Sequence, residues 1–222
     1  AEFMSRGIPL HGLILNAGIM ATPLGHTVDG FEQQFGVDHL GHFLLARDLL
    51  PRLVESAPAR VVVLSSAGHR MGDVDFDDVN FERRGYEPFL AYGAAKTCNV
   101  LHAVEIDKRY RDKGVRAFAV HPGVIHTELG RYMTEETMAS LISRLSESPA
   151  VMAWKSAEQG AATSVWAATS PLLEGRGGEY CEDCNVSAVV PDDELDDGGV
   201  AARAVDPARA AALWALSEKL VG

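Results

Sequence analysis

The run Arg60-Val-Val-Val-Leu-Ser-Ser constrains the fold more than any other stretch of this 222-residue chain. It has strand length, is β-branched, and is apolar at successive rather than alternate positions. Neighbouring side chains on a strand point to opposite faces, so such a run is stable only where both faces are covered. Helices on both sides of a parallel sheet give that cover. Two further runs have the same character. One is Gly12-Leu-Ile-Leu, which ends in the turn-permitting Asn16-Ala-Gly, and the other is Val115-Arg-Ala-Phe-Ala-Val, ended by His121-Pro-Gly.

Helical patterns lie between these runs. Thr27-Val-Asp-Gly-Phe signals a helix entry, and residues 31–53 carry Phe35, Leu40, Phe43, Leu44 and Leu49 in a core-packed helix. Helical spacing returns over residues 90–113, with Gly114 where a C-terminal cap belongs. Residues 157–168 predict a helix, 179–190 a final strand, and 207–220, with Leu213, Trp214, Leu216 and Leu220, a closing amphipathic helix. Residues 69–88 are polar and acidic and read as a surface excursion; 131–154 are mixed and amphipathic. Strands alternating with helices predict an α/β fold with a mainly parallel sheet, in a single domain over residues 1–222.

A net charge of −11 argues against nucleic acid or an anionic membrane surface as partner and leaves a small molecule. No window reaches the apolar length of a membrane span, and Ala-Glu-Phe-Met-Ser at the front has neither basic nor long apolar character. The three cysteines are too few for a disulfide scaffold and fit a reducing, cytoplasmic setting. Cys181-Glu-Asp-Cys184 has zinc-like spacing but no second pair of ligands at a matching distance, so no metal is expected. Asp-Asp-Glu-Leu-Asp-Asp at 192–197 reads as a solvated loop, and His39, His42, His69 and His121 as packing or capping residues.

The chemistry is carried by Tyr92-Gly-Ala-Ala-Lys96, placed after a strand ending Leu64-Ser65-Ser66. Four residues apart on a helix, Tyr92 and Lys96 share a face. Tyrosine titrates near pH 10, so acid or base work near neutrality needs a neighbouring positive charge, which Lys96 supplies. The Ser66 hydroxyl can hold a substrate oxygen for proton transfer.

Asn16-Ala-Gly, Gly41-His-Phe-Leu-Leu, Val63-Leu-Ser-Ser, Tyr92-Gly-Ala-Ala-Lys and His121-Pro-Gly-Val occur in this order with α/β spacing. From about residue 8 onward the chain resembles the short-chain dehydrogenase/reductase family. Asp38-His-Leu-Gly-His-Phe-Leu-Leu, Ser65-Ser-Ala-Gly-His, the long insertion before Tyr92 and Lys96-Thr-Cys-Asn place the resemblance with its retinol-dehydrogenase-like branch, which includes the WW-domain oxidoreductases. The resemblance implies an NAD(P)-dependent oxidoreductase that interconverts an alcohol and a carbonyl by hydride transfer. Tyr92 would be proton donor or acceptor, Lys96 would lower its pKa and hold the nicotinamide ribose, and Ser66 would orient the substrate. Asn16, Ala17 and Gly18 would lie along the adenosine side of the cofactor, and Pro122, Gly123, Val124 and Thr127 at its nicotinamide end. Residues 128–154 would be the substrate-covering region. The branch favours NADP over NAD, suggests a lipophilic alcohol, aldehyde or ketone, and is compatible with a homo-oligomer.

Two positions depart from the family pattern. Asp38 stands where the family has a catalytic asparagine, and an ionised carboxylate only accepts hydrogen bonds. No Gly-x-x-x-Gly-x-Gly stands ahead of Asn16. The expectation is therefore a Rossmann-type doubly wound parallel sheet, N-terminally truncated, with the first strands and glycine-rich turn absent: a fragment of roughly the C-terminal two thirds, its first strand an unpaired edge. The competing reading is a non-catalytic binding or regulatory protein that has lost cofactor binding. A nucleotide-sugar epimerase or dehydratase shares the Tyr and Lys but fits the double serine and His-Pro-Gly less well.

Overall fold

In a computed structural model, β2 (Ala59–Leu64) lies between β1 (Gly12–Leu15) and β3 (Val115–Val120), parallel to both. The structure describes residues 2–125, 127–135, 137–139, 154–193 and 198–222. The main sheet continues from β3 to β6 (Glu179–Glu182), also parallel, and turns back through β7 (Asn185–Val186), which is antiparallel. Two short parallel ladders stand outside it: β4 (Val124–Ile125) with β5 (Trp154–Lys155), and β8 (Val189–Val190) with β9 (Val200–Ala201).

Both faces of β2 are buried, as its unbroken apolar run requires. Val61 and Val63 face one side, among Phe43, Leu50 and Leu53 of α2 (Gly41–Glu55) and Val100, Ala103 and Ile106 of α3 (Pro88–Tyr110). Val62 and Leu64 face the other, with Phe118, Val120 and Ala167 of α4 (Ala157–Thr169). This is the doubly wound arrangement. Among the described residues β1 pairs with β2 alone, and its Ile14 is 46% exposed. A short helix, α1 (Glu2–Ser5), lies ahead of it, where Met4 O accepts from Arg52.

The helix boundaries follow local chemistry. Glu87 caps α3 through the Leu90 N–H, with Pro88 in the first turn where no donor is needed. Ser156 and Gln159 form a reciprocal capping box on α4. Gly114, at φ 79°, ends the helical stretch after α3, as its position in the sequence indicates. The helix expected from residue 31 begins instead at 33, because the Glu32 carboxylate folds back to accept from the N–H groups of Gln34 and Phe35. Residues Phe35–Leu40 of it are π-helical and run directly into α2.

The surface excursion expected over residues 69–88 is corrected by the structure. His69, Val74, Asp78 and Phe81 are buried. Val74 packs with Leu101 of α3 and with Ala210 and Leu213 of the closing helix α5 (Pro207–Val221), so α3 is covered on its outer side as well as against the sheet. Asp192, expected in a solvated loop, binds the backbone and guanidinium of Arg203; residues 194–197 lie outside the described ones. No helix among the described residues is long and apolar enough to cross a membrane.

Burial holds five imidazoles neutral. His39 is pushed down to about 3, His42, His69 and His121 to about 4, and His102 well below its ordinary value. The unfolded chain binds protons from about pH 6.5 downward while these sites refuse them, so stability falls with pH through the window between 6.5 and about 4. Protonating His42 or His69 in place costs roughly 3 kcal/mol each, a large share of a normal domain's margin. Glu32 and Asp38, both raised by burial, oppose this as two carboxylates against five imidazoles. Circular dichroism followed from pH 7 to pH 3.5 is expected to show cooperative loss of structure before pH 4; an intact fold at pH 3.5 would contradict this account.

Candidate active site

Because β1, β2 and β3 are parallel, the segments leaving them emerge at one end of the sheet. Asn16, Ala17 and Gly18 follow β1, Ser65 and Ser66 follow β2, and His121, Pro122 and Gly123 follow β3. Ser65 N donates to Val120 O at 2.8 Å and His121 N to Cys181 O at 2.9 Å, which extends the pairing just past the strands. Ligands in open α/β sheets bind at such carboxyl ends.

A second approach brings α3 to this end. A Cβ on Gly93 would lie 2.5 Å from Gly72 N and 2.7 Å from Gly68 O, so only bare backbone lets the helix close on the loop after β2. A Cβ on Gly68 would lie 2.8 Å from the Tyr92 ring. Side chains of α3 then fasten this contact. Ser65 Oγ donates to Lys96 O at 2.8 Å, and Asn99 Nδ2 donates to Leu64 O at 2.8 Å. Thr97 Oγ1 lies 3.0 Å from His69 O and 2.9 Å from Gly72 O. Tyr92 is thereby buried against the loop that carries Ser66, whose side chain acts to lower the phenol's pKa, and Lys96 Nζ is 5.3 Å from the centre of the Tyr92 ring.

Asp38 enters from the π-helical turn. Its Oδ1 accepts from Ile19 N at 2.9 Å, and Oδ2 is 3.0 Å from Lys96 Nζ. Both side chains are almost wholly buried. Burial raises the Asp38 pKa, against the pull of Lys96 and of the Ile19 N–H. Burial would depress Lys96, but Asp38 and Tyr92 outweigh it, so the ammonium is held above its ordinary value. Burial also raises Tyr92; Lys96 and Ser66 act to lower it, and Asp38 adds to the rise. Lys96 thus pulls in the expected direction, but in the free protein burial outweighs it.

Ser66, Tyr92, Lys96 and Asp38 are brought together, and Gly18 joins them: a Cβ there would sit 3.4 Å from Asp38 Oδ1 and 3.5 Å from Lys96 Nζ. Asn16 and Ala17 are exposed beside it. Pro122, Gly123 and Val124 are half-buried, with the Lys155 side chain packed over Gly123, while Thr127 is exposed and caps the short helix Glu128–Tyr132 through the Leu129 N–H. Of the expected substrate-covering region, residues 136 and 140–153 lie outside the described ones. Reading the sequence missed Ser65, Thr97, Asn99 and the three packing glycines; the Ser-Ser doublet and the glycines at 68, 72 and 93 were the available signals.

Two substitutions test this geometry. Gly93→Ala forces backbone apart and is expected to cost about 2 kcal/mol or more. Asp38→Ala leaves a buried ammonium without its counter-charge, at about 3–5 kcal/mol. Thermal unfolding measures both, and wild-type melting temperatures would refute the contacts described.

Residues 2–138 match the family model described as short chain dehydrogenase. The short-chain dehydrogenase/reductase prx1 of Penicillium roqueforti is 44% identical over 223 residues, covering 99% of this chain and 64% of the relative. Retinol dehydrogenase 14 of Homo sapiens is 39% identical, covering 100% of this chain and 61% of the relative. Among solved structures, an uncharacterized protein from Mycobacterium paratuberculosis superposes with a TM-score of 0.69 at 35% identity, over 98% of this chain and 69% of the other. A gluconate 5-dehydrogenase from Burkholderia cenocepacia, solved with NADP and tartrate, has a TM-score of 0.58 at 18% identity, over 81% of this chain and 65% of the other, a likeness of fold alone. The chain therefore spans under two thirds of the length of both curated relatives.

Proposed function

The chain belongs to the short-chain dehydrogenase family, in its retinol-dehydrogenase-like branch, and on that premise we propose that it carries the catalytic end of an NAD(P)-dependent oxidoreductase interconverting an alcohol and a carbonyl. The observation that carries the reading is the meeting of Tyr92, Ser66 and Lys96 at the carboxyl end of the sheet. The residues fit a nicotinamide nucleotide. Gly18 leaves a bare backbone shelf beside the ammonium, and Lys96 has three N–H donors, of which Asp38 takes one, leaving donors for ribose hydroxyls. Asn16, Ala17 and Gly18 would line the adenosine side, and Pro122, Gly123, Val124 and Thr127 the nicotinamide end. When bound, the nicotinamide supplies or accepts the hydride, and its oxidised form adds a positive charge.

This chain's own residues handle the proton and the substrate oxygen. The Ser66 hydroxyl holds that oxygen beside the Tyr92 phenol, and Tyr92 gives a proton in reduction and takes one in oxidation. Lys96 favours the phenolate by its charge, while Asp38 holds the ammonium in place and tempers its field. The substrate class is a small alcohol, aldehyde or ketone; the similarity to retinol dehydrogenase favours a lipophilic one, and the branch favours NADP.

Tyr92→Phe is expected to lower kcat by at least about three orders of magnitude, since general acid–base catalysis is worth 10² to 10⁴ and its geometry is lost as well. The nucleotide dissociation constant should stay within about threefold. Retained turnover would remove Tyr92 from the mechanism. Asp38→Asn deletes the negative charge that raises Tyr92, so the pH at which alcohol oxidation reaches half its maximum is expected to move down; an unmoved profile would take Asp38 out of the site's electrostatics.

A further inference from the structure

We propose that His69 is a positioning residue for Ser66, tying the loop after β2 to the C-terminal segment that begins at β9. The imidazole is fully buried, with Nδ1 2.6 Å from Ser66 O and Nε2 3.1 Å from Ala201 N. A carbonyl can only accept and a backbone N–H can only donate, so the ring is neutral with its proton on Nδ1. Nδ1–H donates to the carbonyl of Ser66 and Nε2 accepts from Ala201. A single side chain therefore ties the backbone of Ser66 to Ala201, a residue 132 positions beyond His69 itself.

The anchoring segment is itself packed into the core. Val200 and Ala201 are buried in the core shared with β2 and β3, and β9 pairs with β8. Two residues on, Arg203 takes hold of the same loop: Nη2 lies 3.3 Å from His69 O and 3.1 Å from Arg70 O. Its guanidinium is braced by Asp192 at 3.3 Å and Asp73 at 3.9 Å, and Arg209 also pairs with Asp73. The Tyr180 ring packs against His69 at 5.0 Å. The loop bearing Ser66 is thus gripped by α3 on one side and by residues 201–209 on the other. Without the second grip, Ser66 could shift along Tyr92 while the sheet stayed intact. A displacement of about 1 Å costs on the order of 100-fold in rate when a substrate must be held for attack.

Charge around the ring agrees with the geometry. Burial lowers His69 to about 4, Ser66 O acts against that, and Arg70, Arg203 and His121 all face the ring and oppose a proton on it. Protonation would set an N–H against the Ala201 N–H and release the grip.

The role rests on the proposed oxidoreductase reading, so the test separates the two. In the full-length protein, His69→Asn keeps a donor near Ser66 O, but its amide oxygen is too close to its own backbone to take the place of Nε2 and reach Ala201 N. The expected result is a fall in kcat of about 10- to 100-fold, with the nucleotide dissociation constant unchanged within about threefold. Arg203→Gln, whose amide still reaches the loop carbonyls, should lose less. Histidine ring NMR of the wild-type protein without nucleotide should show a neutral Nδ1–H tautomer that takes up no proton from pH 7 down to the acid transition of the fold, whether or not His69→Asn folds. A wild-type kcat in a folded His69→Asn protein, an Nε2–H tautomer, or titration near 6.5 would overturn the proposal. If Tyr92→Phe retains full turnover, the reading of the site falls, while the NMR result still decides whether the grip exists.

Discussion

The close approach of α3 to the loop after β2 decides where everything else in the crevice can stand. Gly93 meets Gly68 and Gly72 backbone to backbone, at separations no side chain would permit. Once that contact forms, the helix register is fixed, and Tyr92 and Lys96 point toward the end of β1 while Ser66 faces the phenol. The hydrogen bonds of Ser65, Thr97 and Asn99 are each of modest net worth, near 1 kcal/mol, yet leaving any of those buried groups unpaired would cost more. They act chiefly against alternative registers. The glycines allow the approach, and the polar side chains make one version of it the satisfied one.

Charge at this crevice is balanced between two buried groups. The buried Lys96 ammonium has the Asp38 carboxylate as its immediate counter-charge, and His42 beside it stays neutral because burial and the lysine both resist its protonation. A buried ion pair rarely adds net stability, since desolvation offsets most of the attraction. Its value here is positional: Oδ1 is fixed to Ile19 N, so Oδ2 specifies the place of the ammonium. An amide at this position would hold the backbone equally well and leave the lysine more field to exert on Tyr92. The carboxylate trades some of that field for a firmer ammonium.

Much of this was legible in the sequence. The β-branched run 60–64 demanded cover on both faces, which gave the parallel sheet, and parallel strands put 16–18, 65–66 and 121–123 at one end. Tyr92 and Lys96 followed from helical spacing. What could not be read depends on contacts between distant segments. Gly93 carries no mark that names Gly72 as its neighbour, and His69 carries none that names Ala201. Residues 69–88 read as surface because Val74 and Phe81 are isolated apolar residues in polar sequence, each anchored by a pocket that other elements build. The start of the helix at 33 rather than 31 turns on Glu32 folding back on two N–H groups, a choice that spacing does not encode.

The sheet, α3 and the C-terminal segment divide the work of holding the crevice. Strand pairing fixes how far Ser66 lies along the sheet axis, since Ser65 N is bound to Val120 O. It leaves the loop free to tilt sideways, because a hydrogen bond at a strand end constrains one direction well and the others poorly. The glycine contact with α3 limits tilt toward the helix. His69 and Arg203 limit it the other way, through Ala201 and the pair of loop carbonyls. These three restraints act along different directions on one short loop, and each comes from a different part of the chain.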